Sequence, residues 1–522
     1  MRRSPSLFVV LSFSLFVSVL SQSSPKIRGL LINCGSTADL FTSDGLRWLA
    51  DTRYVAAGDP RNLSIPGLLP VLSTLRSFPF RPGLLKPLKF CYSLPTYRGS
   101  RYLVRTTYFY GGFDSPSGST TPPVFDQIVD GTFWTTVNTT ADYSAGVASY
   151  YEGVFLAVGK NMSVCVACNT YTTSAPFISA IEMVMLEDSV YNGTDFKKYA
   201  MGLIARSNFG STVSILRYPD DRFDRYWQPF YDDMHEKSST HNLSSSDFWN
   251  LPPAIIFNTA LVGDQGKSLV LQWPPNALPN AIYYIALYFA DTLPENSRTL
   301  DVFVNEYNFY SDLTVTSSGL VVFANQWNLS GLTTISLTSK SPLPPLINAG
   351  EIFGLFSIGN LTVTKDIIPL VKIKKSIATP PADWSGDPCM PVEYSWTGVN
   401  CSHNHQIRVV ALNLSNMGLS GSISPDISNL TAITEISFAY NNFIGPIPDL
   451  SKLKRLEKLF NSDMLEMNYL REESGGIYEV MLQERRWSEG YATSFKRGLK
   501  CDDSVAGFAT LLFGVIASLQ EA

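Results

Sequence analysis

Five aspartates and two arginines lie in the segment 220–233, and carboxylates this close together are the first groups that suggest catalysis. A glycoside hydrolase uses two carboxyl groups held at a fixed separation across a cleft, one as the acid and the other as base or nucleophile. Aspartates interspersed with arginines are instead typical of a solvated, salt-bridged loop. We therefore predict no catalytic residue, and glycoside hydrolysis is a distant alternative function. The aspartates are Asp220, Asp221, Asp224, Asp232 and Asp233.

The histidines and one cysteine pair have spacings that a metal ion could use. His403 and His405 lie two residues apart and close to Cys401, but a zinc site needs at least a third protein ligand. Cys165 and Cys168 have the Cys-x-x-Cys spacing of a zinc or redox pair, yet a zinc ribbon needs a second such pair, which the sequence lacks. We predict a solvated loop at the histidines, structural cysteines, and neither a metal nor a cofactor.

Aromatic side chains are the strongest candidates for ligand contacts. They form 12% of the chain, whereas charged residues form only 16%, against roughly 25% in an average soluble protein. Aromatic faces stack on the C–H patches of sugar rings, while polar side chains fix the hydroxyls. An aromatic residue on a sandwich strand can equally belong to the core, which we predict for Trp48, Trp227, Phe109 and Phe289. The predicted ligand-binding residues are Tyr92, Tyr97, Tyr110, Trp134, Tyr218 and Tyr226.

The N-terminus and the glycosylation signals indicate a secreted protein. Arg2 and Arg3 precede the apolar run 7–20 and the small polar residues 21–24, which is the pattern of a signal peptide over 1–24. The apolar run is too short to cross a bilayer. A net charge of only -5 excludes electrostatic capture of nucleic acid, and N-linked glycans replace the missing charges. The sequons are Asn62, Asn138, Asn161, Asn192, Asn242, Asn328, Asn360, Asn400, Asn413 and Asn429.

Seven cysteines in an oxidising compartment are expected to pair for the most part. Cys389 and Cys401 lie close together, and we predict a disulfide there. The first four cysteines allow three pairings, which the sequence does not decide. These four are Cys34, Cys91, Cys165 and Cys168, and Cys501 stands alone.

Between about residues 26 and 364 the sequence predicts short strands. Segments 101–110 and 281–289 are rich in β-branched and aromatic residues, and 300–305 alternates between apolar and polar. Many short strands separated by turn residues indicate sandwiches or barrels. The region also contains an internal sequence repeat. This repeat predicts two tandem copies of one β module, 26–190 and 200–364. Gly35 recurs as Gly210, Trp48 as Trp227, Tyr108-Phe109 as Tyr288-Phe289 and Phe125-Asp126 as Leu300-Asp301, at offsets of 175, 179, 180 and 175 residues.

A shorter period follows, with an offset of 24 residues. This period is typical of leucine-rich repeats, in which each coil stacks on the next. Asn441 occupies the asparagine position of one repeat, the preceding repeat has Met417 there, and a third repeat fails at Asn461. The matched residues are Leu412 with Ile436, Leu414 with Phe438, Leu419 with Phe443, Gly421 with Gly445 and Ile423 with Ile447.

These patterns divide the second part of the chain. We predict a linker over 365–383, a Cys-capped junction over 384–406 that contains Trp384 and Trp396, leucine-rich repeats over 407–460, and a divergent tail over 461–522. The apolar run 505–519 in the tail is short for a membrane span.

Several of these segments together resemble one known family. Ile32-Asn33-Cys34-Gly35, Trp48 with Asp51, Tyr108 to Gly111, Phe125-Asp126 and Trp134 to Val137 resemble the malectin-like domain of plant receptor-like kinases. Trp384-Ser-Gly-Asp-Pro-Cys389 resembles the Gly-Asp-Pro-Cys junction to leucine-rich repeats in the same family, which includes the symbiosis receptor-like kinase. The resemblance implies a mainly β fold: two tandem malectin-like β-sandwich modules followed by a short leucine-rich-repeat solenoid.

The resemblance also implies a function. Members of the family sense extracellular ligands and normally continue into a membrane span and a cytoplasmic Ser/Thr kinase. The chain has no Gly-rich nucleotide loop, no His-Arg-Asp and no Asp-Phe-Gly motif, so we expect no enzymatic activity and no kinase domain of its own. The expected function is binding of a cell-wall carbohydrate or a peptide, together with receptor or co-receptor ectodomains, outside the cell or at the outer face of the plasma membrane. A wall-associated structural glycoprotein is the alternative.

The sugar contacts of animal malectin do not transfer to this sequence. In that protein an aromatic pair follows a Phe-Ala-Glu-like motif, whereas here the similar Phe289-Ala290-Asp291 is followed by Thr292-Leu293-Pro294. The cleft between the two β modules is the remaining candidate position for a ligand.

Overall fold

The computed structural model describes residues 29–80, 83, 87–114, 121–231, 248–291 and 298–460, together with the backbone of 236–238 and 479–481. The predicted signal peptide, the sequon at Asn242 and all of the predicted tail except 479–481 lie outside the described residues. The chain forms two compact units. The first contains the described residues up to Thr362 together with Pro381–Thr397 and His403–Ile407, and the second contains Val363–Pro380, Gly398–Ser402 and the described residues from Arg408 onward.

The first β module contains thirteen described strands and one short α-helix. The strands are β1 (Gly29–Asn33), β2 (Leu40–Phe41), β3 (Arg47–Ala50), β4 (Asp59–Asn62), β5 (Thr74–Ser77), β6 (Lys89–Pro95), β7 (Arg101–Tyr108), β8 (Val124–Val129), β9 (Thr132–Asn138), β10 (Ser149–Leu156), β11 (Asn161–Ala167), β12 (Phe177–Ile178) and β13 (Ala180–Met185), and helix α1 is Thr140–Ser144.

The second β module contains twelve described strands. They are β14 (Tyr199–Phe209), β15 (Gln228–Phe230), β16 (Glu236–Ser238), β17 (Thr259–Val262), β18 (Leu269–Gln272), β19 (Leu278–Phe289), β20 (Arg298–Val304), β21 (Tyr307–Val315), β22 (Leu320–Gly331), β23 (Thr334–Ser339), β24 (Leu346–Ile347) and β25 (Ala349–Ser357).

One long sheet runs through both modules. Its order is β2-β3-β1-β13-β7-β10 in the first module and β14-β25-β19-β22 in the second, with β15 beside β14. The modules join where β10 pairs with β14, which places Gly153 opposite Gly202. Each module closes its sandwich with a four-stranded sheet, β6-β11-β8-β9 in the first and β18-β23-β20-β21 in the second.

The two modules repeat one strand plan, as the sequence predicted. Strands β1 and β3 pair in parallel through Ile32 and Leu49, and β14 and β15 do so through Ser207 and Gln228. The predicted glycine match is also structural. Gly35 and Gly210 both have positive φ, and a Cβ would lie 2.0 Å from the Leu75 carbonyl oxygen in one module and 2.4 Å from that of Ala260 in the other. Only glycine combines this φ with so close an approach of a neighbouring strand.

Strand β19 shows why the sequence contains near-continuous apolar runs. Successive strand side chains point to opposite faces, and both faces of β19 are covered. Tyr283, Ile285, Leu287 and Phe289 enter the sandwich core of the second module. Tyr284, Ala286 and Tyr288 enter another core, on the other face of the long sheet, which also contains Leu103 and Val154 of the first module. The shared core makes the two modules one compact unit.

The predicted core aromatics lie largely where the sequence placed them. Trp48, Trp227 and Phe289 are buried, and Phe109 is half-buried. The histidines His403 and His405 lie in an exposed loop.

The cysteines pair only in part. Cys91 and Cys165 form a disulfide, whereas Cys34 and Cys168 are unpaired thiols. Both Cys389 and Cys401 are disulfide-bonded, and their pairing with one another stays a prediction. The Cys-x-x-Cys spacing therefore does not correspond to a bond between its own two cysteines.

The first part of the junction packs on strand β6 of the first module. The buried Lys89 ammonium donates to the carbonyl oxygens of Asp387 and Met390, each at 2.5 Å, and the Cys91 backbone N–H donates to the Ser385 hydroxyl at 3.0 Å. A Cβ at Gly386 would lie 2.6 Å from Cys91 Sγ. The first part of the junction, up to Thr397, therefore belongs to the first compact unit.

The second unit contains a helix and the repeats. Helix α2 (Thr364–Ser376) occupies part of the predicted linker. Strands β26 (Val399–Cys401), β27 (Val409–Asn413), β29 (Glu435–Ser437), β31 (Lys458–Phe460) and β32 (Glu479–Met481) form one sheet, and β28 (Ser420–Ser422) pairs with β30 (Asn442–Ile444). The pairing of β32 with β31 extends the sheet beyond the predicted repeats, into the predicted tail.

Asn441 holds two coils of the solenoid together. Its Oδ1 accepts from the backbone N–H groups of Met417 and Leu419 at 3.2 and 2.9 Å, and its Nδ2 donates to the Leu414 and Phe438 carbonyl oxygens at 2.6 and 3.1 Å. One asparagine therefore serves the preceding coil, which has no asparagine of its own at this position.

Candidate functional site

A cavity of about 520 Å³ lies where the two β modules meet, within the usual size range of small-ligand sites. Strands β9 and β10 supply one side, β14, β15, β19 and β25 supply the other, and the loop 274–276 borders it. The lining residues are Trp134, Thr135, Tyr150, Tyr151, Glu152, Gly202, Leu203, Ile204, Ala205, Arg206, Ser207, Tyr226, Gln228, Pro229, Phe230, Pro274, Pro275, Asn276, Pro279, Ala281, Tyr283, Gly354, Leu355 and Phe356.

Trp134 reaches the cavity because two glycines leave room for its indole. A Cβ at Gly153 would lie 2.9 Å from the ring atom Cζ2, and one at Gly202 would lie 3.2 Å from Nε1. Phe155 packs edge-on against the indole, with the ring centroids 5.0 Å apart. Because Gly153 and Gly202 face each other across the β10–β14 pair, the position of Trp134 depends on the join between the modules.

Tyr150, Tyr226 and Gln228 form a connected group on the cavity wall. The two tyrosine rings meet edge-on at 5.5 Å, and Gln228 Nε2 donates to the Tyr150 hydroxyl at 2.5 Å. The guanidinium groups of Arg105 and Arg217 lie 3.5 and 4.8 Å from the Tyr226 ring centroid. These contacts fix the orientation of the aromatic faces that border the cavity.

Buried charges lie directly behind this wall. Glu152 accepts from Arg105 at 2.7 Å and pairs with Arg206 at 2.7 Å, and Arg206 also pairs with Glu351 at 2.5 Å. All four side chains have 0% exposure. Burial raises the pKa of Glu152, but the two arginines overcome this effect and hold its pKa below the ordinary value. Glu152 and Arg206 therefore line the cavity as a neutralised pair.

A second carboxyl pair extends the network. Burial raises the pKa of Glu182 to about 8, with Arg105 opposing the shift and Asp224 adding to it. The pKa of Asp224 is lowered despite burial, because Arg105 and Arg217 stabilise its charge. At neutral pH Glu182 therefore carries the proton and Asp224 the charge.

The aspartate-rich segment corrects one expectation from the sequence. Asp221, Asp224 and Arg225 are buried rather than solvated. Asp221 pairs with Arg225 at 2.8 Å and accepts from the Trp227 indole N–H at 2.8 Å. The salt bridges were predicted, and Asp220 and Arg222 are exposed as expected, but Asp221, Asp224 and Arg225 are buried instead of facing water. Asp232 and Asp233 lie outside the described residues.

Two of the six predicted ligand-binding aromatics line the cavity, namely Trp134 and Tyr226. Tyr92 is a core residue whose hydroxyl donates to Asp51, and Tyr110 is buried against the aromatic core of the first module. Tyr218 packs on the small cluster around Trp48. Tyr97 is 73% exposed on the surface.

Sequence reasoning missed all five of the remaining lining aromatics. Tyr150, Tyr151, Tyr283, Phe230 and Phe356 all border the cavity. The consecutive tyrosines on β10 were the available signal, because neighbouring residues on a strand face opposite sides of the sheet. The ring of Tyr151 packs against Tyr108 at the core of the first module, whereas the ring of Tyr150 turns to the other face and meets Tyr226.

The predicted glycosylation sites are accessible among the described residues. All nine described sequon asparagines are exposed. Among the described residues no helix has the length and apolarity to span a bilayer.

Comparison with known proteins agrees with this architecture. The Malectin-like domain family matches residues 32–355, and the Leucine rich repeat N-terminal domain matches residues 364–402; neither describes a catalytic domain. A leucine-rich repeat receptor-like serine/threonine-protein kinase of Arabidopsis thaliana is 29% identical over 446 residues, which cover 81% of this chain and 49% of that protein. A probable kinase of the same kind from the same plant is 31% identical, with coverage of 84% and 48%. The chain thus spans about half the length of these relatives.

Solved structures show the same fold. The extracellular domain of ANXUR1 from Arabidopsis thaliana matches with a TM-score of 0.51 and 17% identity, over 63% of this chain and 97% of that one. The ectodomain of ANX2 from the same plant gives a TM-score of 0.51 and 16% identity, with the same coverage. Since the Malectin-like family matches more than half of the sequence and the strand plan repeats as a tandem sandwich, the chain belongs to the Malectin-like domain family and carries a leucine-rich-repeat region beside it.

Proposed function

We propose that this chain is the extracellular ligand-binding region of a plant receptor-like kinase family member. It binds a carbohydrate or peptide ligand in the cavity between its β modules and acts by association with receptor or co-receptor ectodomains. The observation that supports this proposal is the cavity itself, which combines aromatic walls with polar groups at a join between two modules. Cavities with this lining are the usual form of small-ligand sites.

The remaining features fit the same role. The predicted signal peptide and the exposed sequons support a location in the secretory pathway, and its relatives are receptor-like kinases by name. The Malectin-like domain and the leucine rich repeat N-terminal domain that match this chain are not catalytic, so the contribution to signalling that we propose for them is ligand binding.

A binding screen with matched tyrosine variants tests the proposal. The secreted, glycosylated chain is applied to a glycan array and a peptide array, and hits are measured by isothermal titration calorimetry. Tyr150→Ala removes a cavity wall, whereas Tyr97→Ala removes an equally large ring from the exposed surface. We expect saturable binding that Tyr150→Ala abolishes and Tyr97→Ala preserves. Absence of binding on both arrays would favour a structural wall glycoprotein instead.

A further inference from the structure

We propose that an N-glycan on Asn328 shields the open edge of the long sheet, and that it prevents the edge strand β22 from pairing with β22 of a second copy of this chain. The described lining residues of the cavity do not include Asn328, so this role does not depend on the ligand. It follows from the composition of β22, from the position of its sequon, and from the way in which the other long outer strands are protected.

Strand β22 is an outer strand whose own sequence does nothing to prevent further pairing. It is 12 residues long, and among the described residues it is the last strand of the long sheet, with β19 as its neighbour. It contains no charged residue and no proline. The outer N–H and C=O groups of such a strand are a template for another strand. Two copies of β22 would bring no like charges together, and identical edges can pair about a two-fold axis.

The sequon lies within the edge strand itself. Asn328 is exposed and stands opposite Ile282 of β19, so a glycan on it leaves the protein beside the open edge. Ser330, which completes the sequon, is exposed in the same strand. An N-glycan is bulky and hydrophilic, whereas paired strands must approach to about 4.8 Å. The glycan therefore keeps a second strand from reaching the edge.

The other long outer strands are protected as well. Among the described sheets, three further outer strands have at least 7 residues, namely β6, β9 and β21. The junction covers β6, where the Cys91 N–H donates to Ser385. Strand β21 contains the charged Asp312 at positive φ and pairs irregularly with β20, and both features oppose further pairing. Strand β9 has no charged residue, and it ends at the sequon Asn138. The two long outer strands without a charge are thus the two that carry a sequon.

Two substitutions at the exposed Ser330 isolate the effect of the glycan. Ser330→Ala removes the sequon, and Ser330→Thr preserves it as the matched control. The secreted, glycosylated chains are compared by size-exclusion chromatography with light scattering over a series of concentrations, and peptide mass spectrometry measures the glycan on Asn328. In the Ser330→Ala background, Gln326→Lys adds a charge to β22. Gln265→Lys adds the same charge in an exposed turn.

We expect the wild type and Ser330→Thr to be monomers, and Ser330→Ala to form dimers of about twice the monomer mass. Asn328→Gln, which removes the glycan and keeps the serine, should also dimerise. Gln326→Lys should restore the monomer because it places a charge on the pairing edge, and Gln265→Lys should not. Monomers of both glycan-free variants at every concentration, an unglycosylated Asn328 in the wild type, or dimers that both lysines abolish equally would overturn the proposal.

Discussion

Glu182 should make the stability of the first unit fall as pH rises. Its ordinary pKa is 4.5 and its folded pKa is about 8, because burial disfavours its charged form and Asp224 adds repulsion. Below pH 4.5 both states hold the proton, so the full stability is present. Between pH 4.5 and pH 8 the folded state keeps a proton on Glu182 that the unfolded state releases. The free energy of unfolding therefore falls with each pH unit in this range. Integrated to pH 8, the loss is about 4 kcal/mol.

The substitution Glu182→Gln removes this titration and keeps the shape of the protonated side chain. Glutamine can still accept the hydrogen bond that Arg105 donates to Glu182 at 2.7 Å. We therefore expect the difference in unfolding free energy between variant and wild type to shift in favour of the variant by about 4 kcal/mol from pH 5 to pH 8. Chemical denaturation with intact disulfides at pH 5, 6, 7 and 8 measures this difference.

Glu187→Gln is the matched control, because Glu187 is 44% exposed and pairs with a surface arginine. Its stability difference from wild type should stay constant over the same pH range. If the Glu182→Gln and wild-type curves also ran parallel, Glu182 would be ionised in the folded protein at neutral pH, and the reasoning from burial would be refuted.

Three further substitutions test the packing described above. Gly153→Ala would place a Cβ 2.8 Å from a backbone oxygen and 2.9 Å from Trp134, and we expect a loss of about 1–3 kcal/mol in chemical denaturation together with weaker ligand binding. Asp51→Asn leaves the buried Arg76 without the carboxylate that it contacts at 2.6 Å, and we expect a loss of about 3–5 kcal/mol in the same assay. Asn441→Ala leaves two backbone N–H groups of the solenoid unsatisfied, and we expect about 2 kcal/mol less stability and faster amide hydrogen exchange in the second unit.

Conservative changes at open positions serve as controls for these substitutions. The nearest atom to a Cβ at Gly159 would be 3.5 Å away, so Gly159→Ala should be tolerated. Asp59 is 75% exposed and lies 3.8 Å from Arg61, so Asp59→Asn should change stability by less than about 0.5 kcal/mol. Losses at these positions as large as those at Gly153 and Asp51 would contradict the packing argument.

Local pattern was sufficient to predict the fold. Strand character, the repeat offset near 175 residues and the 24-residue period are all recorded in neighbouring residues or in exact spacings, and the structure contains both the tandem sandwiches and the solenoid. The exposed sequons and histidines follow from the same local chemistry. These features can be predicted from the sequence because secondary structure and repeats depend on which residues follow one another along the chain.

The cavity could be predicted only in part, because its walls come from distant segments. Trp134 and Tyr226 were named from residue type alone, but Tyr92 was named on the same grounds and lies in the core. Strand alternation shows that a residue faces one side of a sheet and does not show what covers that side. The pairing of β10 with β14 decides this for Trp134, since it brings Gly153 and Gly202 together beneath the indole.

The sequence by itself determined the family and the order of the modules, which are properties of residue type and spacing, and the secretion that its N-terminus indicates stays a prediction. Only the tertiary structure decided that Asp221 and Asp224 are buried, that Cys91 bonds to Cys165, and that the charges lining the cavity are already neutralised. Burial and charge pairing depend on the distance between side chains far apart in the chain. That distance is set by how the two modules pack, and no local pattern records it.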